Sequence, residues 1–220
     1  MSGYEAILFD FDGVLADTEP LHHAAWAQAL APHGLELDWP TYREHCVGFS
    51  DRDLVRFVAA RAGRETDFER LWAAYPRKQE IFRRRILAEP PISAEVIELL
   101  GALDGFKLGL VSSTSRTELE PVLRQVGILE RFQTVICADD VTHPKPEPEP
   151  YLLAAERLGV KRALVVEDSQ AGLASGRAAG FEVLYIPDPR LMPELLRERL
   201  RTGLPPGSGR AKARPAGWKA

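Results

Sequence analysis

Five short apolar runs, each followed by a polar cluster, constrain the fold of this chain more than any other feature. They are Ala6-Ile7-Leu8-Phe9, Leu108-Gly109-Leu110-Val111, Thr134-Val135-Ile136-Cys137, Ala163-Leu164-Val165-Val166 and Glu182-Val183-Leu184-Tyr185-Ile186. Continuous apolar runs of this length suit strands buried on both faces. Helical patterns lie between them, around 94–103, 119–126, 149–158 and 172–179, with a last one around 194–200. Such alternation predicts an α/β fold built on a doubly wound parallel sheet.

The interval between the first two runs breaks the rhythm. It is about seventy residues long, too much for a βα connection and enough for a small helical domain. It reads as helices around 21–31, 39–45, 51–62 and 67–86, with breaks at Pro32-His33-Gly34, Gly48-Phe49-Ser50 and Gly63. Its ends leave and rejoin the sheet beside the first strand tip, so it is expected to cover that tip as a lid. The expected organisation is an α/β core of residues 1–16 and 88–203 with an all-α cap of residues 17–87. A basic tail of residues 204–220 reads as flexible from its composition.

The 220 residues are 45% hydrophobic and 27% charged, with a net charge of -4, an ordinary globular composition that argues against binding nucleic acid or anionic membranes by bulk charge. No apolar run approaches the ~20 residues of a bilayer span, and the first residues lack a signal-type pattern. Cys46 and Cys137 match no metal spacing and read as buried thiols, which suits a reducing, cytoplasmic setting. The expected partner is a small molecule, and the expected state is a monomer or weak homodimer.

The chemistry concentrates at the strand tips. Asp10 and Asp12 leave the first strand with Gly13 behind them. Ligands of α/β sheets bind at this end, and Asp disfavours strands and buried sites. One carboxylate is suited to attack phosphorus and the other to handle protons. Ser112 and Ser113 follow the second strand, where hydroxyls and free N–H groups make an anion site or an ordinary helix N-cap. Lys145 stands between Pro144 and Pro146, so its position is restricted, as a fixed charge aimed at phosphate requires; a solvated loop lysine has the same local sequence. Glu167 and Asp168 end the fourth strand, as hard oxygen ligands for Mg²⁺ or as helix caps.

Taken together, the stretch Asp10-Phe11-Asp12-Gly13-Val14-Leu15-Ala16-Asp17-Thr18-Glu19, with Ser112, Lys145 and Glu167-Asp168, resembles the four motifs of the haloacid dehalogenase-like hydrolase superfamily. Within it the chain resembles the β-phosphoglucomutase-like phosphatases with a helical cap of the first type, over roughly residues 4–200, and from that resemblance the expected partner is a small phosphorylated metabolite. The resemblance implies that Asp10 forms an aspartyl-phosphate and that Asp12 protonates the leaving oxygen and then activates water. It implies Mg²⁺ on the Asp10 carboxylate, the Asp12 carbonyl and Asp168, with Glu167 in support, and Ser112, Ser113 and Lys145 on phosphate. Dehalogenase and phosphonatase relatives lack an acid at the Asp12 position, which favours an ester phosphatase or a phosphomutase.

In the cap, Thr18, His22, Gly48, Ser50 and Lys78 match substrate positions of sugar-phosphate members. Lys78 is one of only six lysines, so it stands as a contact to a second phosphate or to sugar hydroxyls, beside the plain reading of a solvated helix lysine. Asp51 departs from the mutase pattern, where a phosphate-binding Arg follows the Ser, and Arg52 is expected to point elsewhere. This favours a hydrolase over a mutase. A catalytically silent binding module of the same fold is the remaining alternative.

Overall fold

The computed structural model describes residues 3–47, 49–63 and 67–202; Gly48 and the tail expected over 204–220 lie outside them. Five strands form one parallel sheet: β1 (Ala6–Phe9), β2 (Lys107–Val111), β3 (Thr134–Ile136), β4 (Ala163–Glu167) and β5 (Glu182–Tyr185). Their order is β3-β2-β1-β4-β5, so β1 lies at the centre with β2 and β4 on its flanks. Phe9 pairs in register with Leu110 and with Val166. The residues just past these pairs therefore meet at one edge of the sheet, which brings Asp10 between the ends of β2 and β4.

Alternation along β1 divides the core into two layers. Ile7 and Phe9 pack with Leu99, Leu110, Leu119 and Leu164 on one face. Ala6 and Leu8 pack with Val111, Tyr151, Val165 and Leu173 on the other. The helices of these layers are α6 (Ala94–Gly101), α7 (Arg116–Gln125), α8 (Glu149–Leu158), α9 (Gln170–Ala178) and α10 (Met192–Thr202). Serine supplies several starts, because its hydroxyl satisfies an orphan N–H of the first turn: Ser93 accepts from Val96 N and Ser169 from Gly172 N.

Between β1 and β2 stand α1 (Glu19–Leu30), α2 (Trp39–His45), α3 (Asp51–Arg61), α4 (Phe68–Trp72) and α5 (Tyr75–Ala88). They enclose their own apolar cluster around Trp26, Leu30, Val55, Leu71 and Ile81. The single helix expected over 67–86 is two helices. Pro76 falls in the first turn of α5, where its missing N–H costs nothing, but a helix running through it would lose a bond and clash one turn back. Phe82 packs against both this cluster and the sheet cluster, and Asp17 N donates to Pro91 O at 3.0 Å, which ties the two linkers together.

Leu110 is fully buried on a central strand. Leu110→Ala should lower the unfolding free energy by about 2–5 kcal/mol in urea titration. A loss below about 0.5 kcal/mol would mean that the sheet does not pack as described.

Candidate active site

Asp10 is held as an extension of β1, its N–H donating to Val166 O at 3.0 Å, and it is only 7% exposed. The chain then turns sharply. Phe11, Val14 and Leu15 are buried and anchor the turn, while the Phe11 carbonyl accepts from Leu15 N and Ala16 N. Gly13 has φ +70, and a Cβ there would lie 2.0 Å from an Asp168 carboxylate oxygen. The alternation of apolar anchors, glycine and acids in Asp10–Leu15 is thus what presses this turn against the tip of β4.

Lys145 forms the centre of the site. Its Nζ donates to Asp10 Oδ1 at 2.7 Å, to Glu167 Oε1 at 2.7 Å and to the Val111 carbonyl at 3.0 Å. The side chain is 6% exposed, so the solvated-loop alternative does not describe it. Burial alone would lower its pKa, but the Asp10 and Glu167 carboxylates push the ammonium up to about 12. Glu167 is fully buried and saturated with donors. Besides Lys145, Oε1 accepts from Tyr151 Oη at 2.8 Å, and Oε2 accepts from Asp168 N, Ser169 N and Ser169 Oγ at 3.0–3.1 Å.

Ligand oxygens of Asp10, Glu167 and Asp168 all lie within 4.8 Å of one another, a cluster of hard donors that fits a divalent cation. Desolvation and the neighbouring carboxylates raise Asp10 well above its ordinary value, against the pull of Lys145. Desolvation, Glu167 and Asp12 likewise raise Asp168 to about 7. Three carboxylates face one ammonium, and this excess of negative charge is the electrostatic fit to a cation. With its oxygens committed to five donors, Glu167 is placed to brace such a site.

Asp12 is in a different environment. Thr114 Oγ1 donates to its Oδ2 at 3.3 Å, and His22 Nε2 stands 3.8 Å from its Oδ1. Burial would raise this carboxyl, but hydrogen bonds from His22, Thr18 and Thr114 hold it below the usual value. Asp12, expected among the metal residues, is not one of the three clustered ligand groups, although its charge helps raise Asp168. Ser112 is buried, its Oγ accepts from Thr114 N at 3.1 Å, and it lines one small cavity with Ser113 and Lys145.

The expected cap residues divide. Thr18 and His22 converge on Asp12. Ser50 is exposed, and its hydroxyl serves as the N-cap of α3, accepting from Asp53 N at 3.2 Å. Lys78 is neither a solvated lysine nor an open anion site: it is buried and pairs with Asp51 at 2.8 Å. Arg52 points away, over the rings of Trp72 and Phe68. Thr114 and Tyr151 were not singled out from the sequence. Thr114 carries a signal, since it sits in the hydroxyl run 112–115, whereas nothing local marks Tyr151 on α8.

The family model for haloacid dehalogenase-like hydrolases matches residues 4–180. The chain is 32% identical over 187 residues to the phosphorylated carbohydrates phosphatase of Thermotoga maritima, covering 82% of this chain and 84% of that one. It is 30% identical over 199 residues to the fructose-1-phosphate phosphatase YqaB of Escherichia coli, covering 83% and 96%. The β-phosphoglucomutase structure from Clostridium difficile shares the fold at a TM-score of 0.69 and 23% identity, over 91% of this chain and 96% of that one. This chain belongs to the haloacid dehalogenase-like hydrolase family. It is an enzyme of the phosphoric monoester hydrolase class, with a Rossmann-like core and a helical cap inserted after the first strand.

Gly172 opens α9 against Glu167, and a Cβ there would lie 1.7 Å from Oε1. Gly172→Ala should destabilise the fold by about 1–3 kcal/mol through overpacking, outweighing the ~1 kcal/mol that Ala gains as a helix former. Thermal unfolding checks this; a stabilised variant would show that Glu167 is not fixed where described.

Proposed function

We propose that the protein is a Mg²⁺-dependent phosphatase for a small sugar or polyol phosphate, working through an aspartyl-phosphate on Asp10. The observation that carries this is the Lys145 ammonium held at 2.7 Å from both Asp10 and Glu167. An isolated buried carboxylate loses its charge; Lys145 opposes that at Asp10, which is what a nucleophile requires. The two phosphatase relatives support the substrate class.

In the first step an Asp10 oxygen attacks phosphorus, and the bond to the substrate oxygen breaks. Asp12 delivers a proton to that leaving oxygen. The negative charge of an arriving phosphate raises the Asp12 carboxyl from its low resting value, which gives it the proton to deliver. In the second step Asp12 takes a proton from water, water attacks phosphorus, and Asp10 is released as carboxylate. Ser112 and Ser113 hold phosphoryl oxygens; Lys145, expected as a phosphate contact, has its three donors engaged by Asp10, Glu167 and Val111 and contributes its positive charge beside the phosphate, while Thr18, His22 and Thr114 orient Asp12. Asp10, Asp168 and the Asp12 carbonyl would hold Mg²⁺, with Glu167 as the brace, and the ion would supply charge neutralisation to the phosphoryl oxygens.

The division into a core of 1–16 and 88–203 and a cap of 17–87 belongs to the same proposal, as does a cytoplasmic site of action. Both cysteines are free and buried, and among the described residues no helix is long and apolar enough to cross a membrane. The fold shared with a phosphomutase is the basis of the second reading, a mutase.

Phosphate release from a panel of sugar and polyol monophosphates, with Mg²⁺ or EDTA, tests the reading. The wild type should turn over only with Mg²⁺. Asp10→Asn should lose at least about 10³-fold in kcat, and Asp12→Ala about 10²–10⁴-fold. Mg²⁺ should raise the Tm of the wild type and not that of Asp168→Asn. Undiminished turnover by Asp10→Asn would remove the nucleophile assignment, and isomer formation outrunning phosphate release would favour the mutase.

A further inference from the structure

Two carboxylates compete for the Lys145 ammonium on equal terms. Its Nζ lies 2.7 Å from Asp10 Oδ1 and 2.7 Å from Glu167 Oε1, and the Val111 carbonyl takes the third proton at 3.0 Å. An ammonium has only three donors, so nothing of Lys145 is left over. How the cation is shared then depends on what else each carboxylate holds. A neutral donor on one of them stabilises its charge in place and lessens its pull on the ammonium.

Tyr151 supplies such a donor at the decisive atom. Its hydroxyl gives to Glu167 Oε1 at 2.8 Å, the same oxygen that Lys145 reaches. Its ring centroid lies 5.2 Å from Lys145 Nζ, within reach of a cation–π attraction. Tyr151 therefore touches both the ammonium that serves Asp10 and the carboxylate that rivals Asp10 for it. The residue is fully buried and packs in one cluster with Leu8, Val111, Val165 and Leu173, so its ring is fixed by the sheet.

The same helix also holds the backbone that carries Lys145. Glu149 and Tyr151 both lie in the first turn of α8. The Glu149 carboxylate accepts from Thr142 N and His143 N, each at 2.8 Å, two and three residues before Lys145. One turn of α8 thus clamps the loop through Glu149 and the ammonium through Tyr151. A tyrosine that only filled the core would need some partner for its hydroxyl; here that partner is the one carboxylate in competition with the nucleophile.

We infer that Tyr151 is a positioning residue for the nucleophile, its hydroxyl on Glu167 and its ring beside Lys145 keeping the ammonium shared with Asp10. This rests on the phosphatase reading and adds a residue that acts on its first step, the attack of Asp10 on phosphorus.

Tyr151→Phe keeps the ring and removes the hydroxyl. In single-turnover rapid quench, phosphoenzyme formation at saturating substrate should slow about 10–100-fold, as small misplacements of reacting groups do. The substrate concentration at half-saturation should move by less than about two-fold. A merely structural role lowers the Tm and leaves that rate unchanged. An undiminished rate in a variant that unfolds cooperatively would overturn the inference.

Nuclear magnetic resonance reads the same point without turnover, in a chain with only six lysines. In the wild type the Lys145 ε-protons should show contacts to the Tyr151 ring. In Tyr151→Phe the Lys145 ammonium should shift and exchange its protons faster, while Lys78, the other buried lysine, stays as it was. An unmoved Lys145 signal would overturn the inference, and so would a wild-type Lys145 without the ring contact, even if the variant does not fold. Failure of the phosphatase reading shows separately, as no phosphate release from any monophosphate by the wild type.

Discussion

The structure depends on one buried cation placed between two buried carboxylates. Removing Lys145, Asp10 and Glu167 from water costs several kcal/mol per ion, and only close pairing with full hydrogen bonding offsets it. The geometry around them meets that demand. Lys145 spends three donors on Asp10, Glu167 and Val111, and Glu167 receives four further hydrogen bonds from Tyr151, Asp168 and Ser169. Gly172 leaves room for Glu167, and Gly13 leaves room for Asp168. Each of these elements comes from a different part of the chain, so the site forms only when the sheet is complete. The negative excess that remains is shared by Asp10 and Asp168, both raised above ordinary carboxylate values.

Asp12 joins this centre to the cap. Its partners His22 and Thr18 belong to the start of the inserted helices, and Thr114 belongs to the core. The protonation of Asp12 is therefore tied to how the cap sits, whereas the charge on Asp10 is set wholly within the core. The two carboxylates stand two residues apart and have opposite shifts: burial and neighbouring carboxylates raise Asp10, while hydrogen bonds lower Asp12.

The strands were legible in the sequence because central parallel strands are buried on both faces and read as unbroken apolar runs; all five lie where those runs fall. Their polar ends were legible for the same reason: Asp10, Ser112, Lys145, Glu167 and Asp168 gather at one edge as expected. The break between α4 and α5 was missed because the apolar period continues across it, although Pro76 was a visible stop signal. Tyr151 was not legible, since its partner Glu167 lies on a different element and a buried tyrosine on α8 looks like ordinary core. Lys78 could not be placed for a related reason. Its burial is decided by Asp51 and by aromatic rings from α1 and α5, whose meeting depends on packing between helices. Ser50 was read as a substrate contact, but the Ser-x-x-Asp spacing with Asp53 already signalled an N-cap.

The central claim is that Asp10 becomes covalently phosphorylated, and chemical trapping tests it most directly. Borohydride added during turnover of a good monophosphate substrate reduces an acyl phosphate to the alcohol, so peptide mass spectrometry should find homoserine at position 10. Trapping should be absent without substrate and in Asp10→Asn. An unmodified Asp10 in an enzyme that is turning over, or reduction at Asp12 or Asp168 instead, would contradict the account.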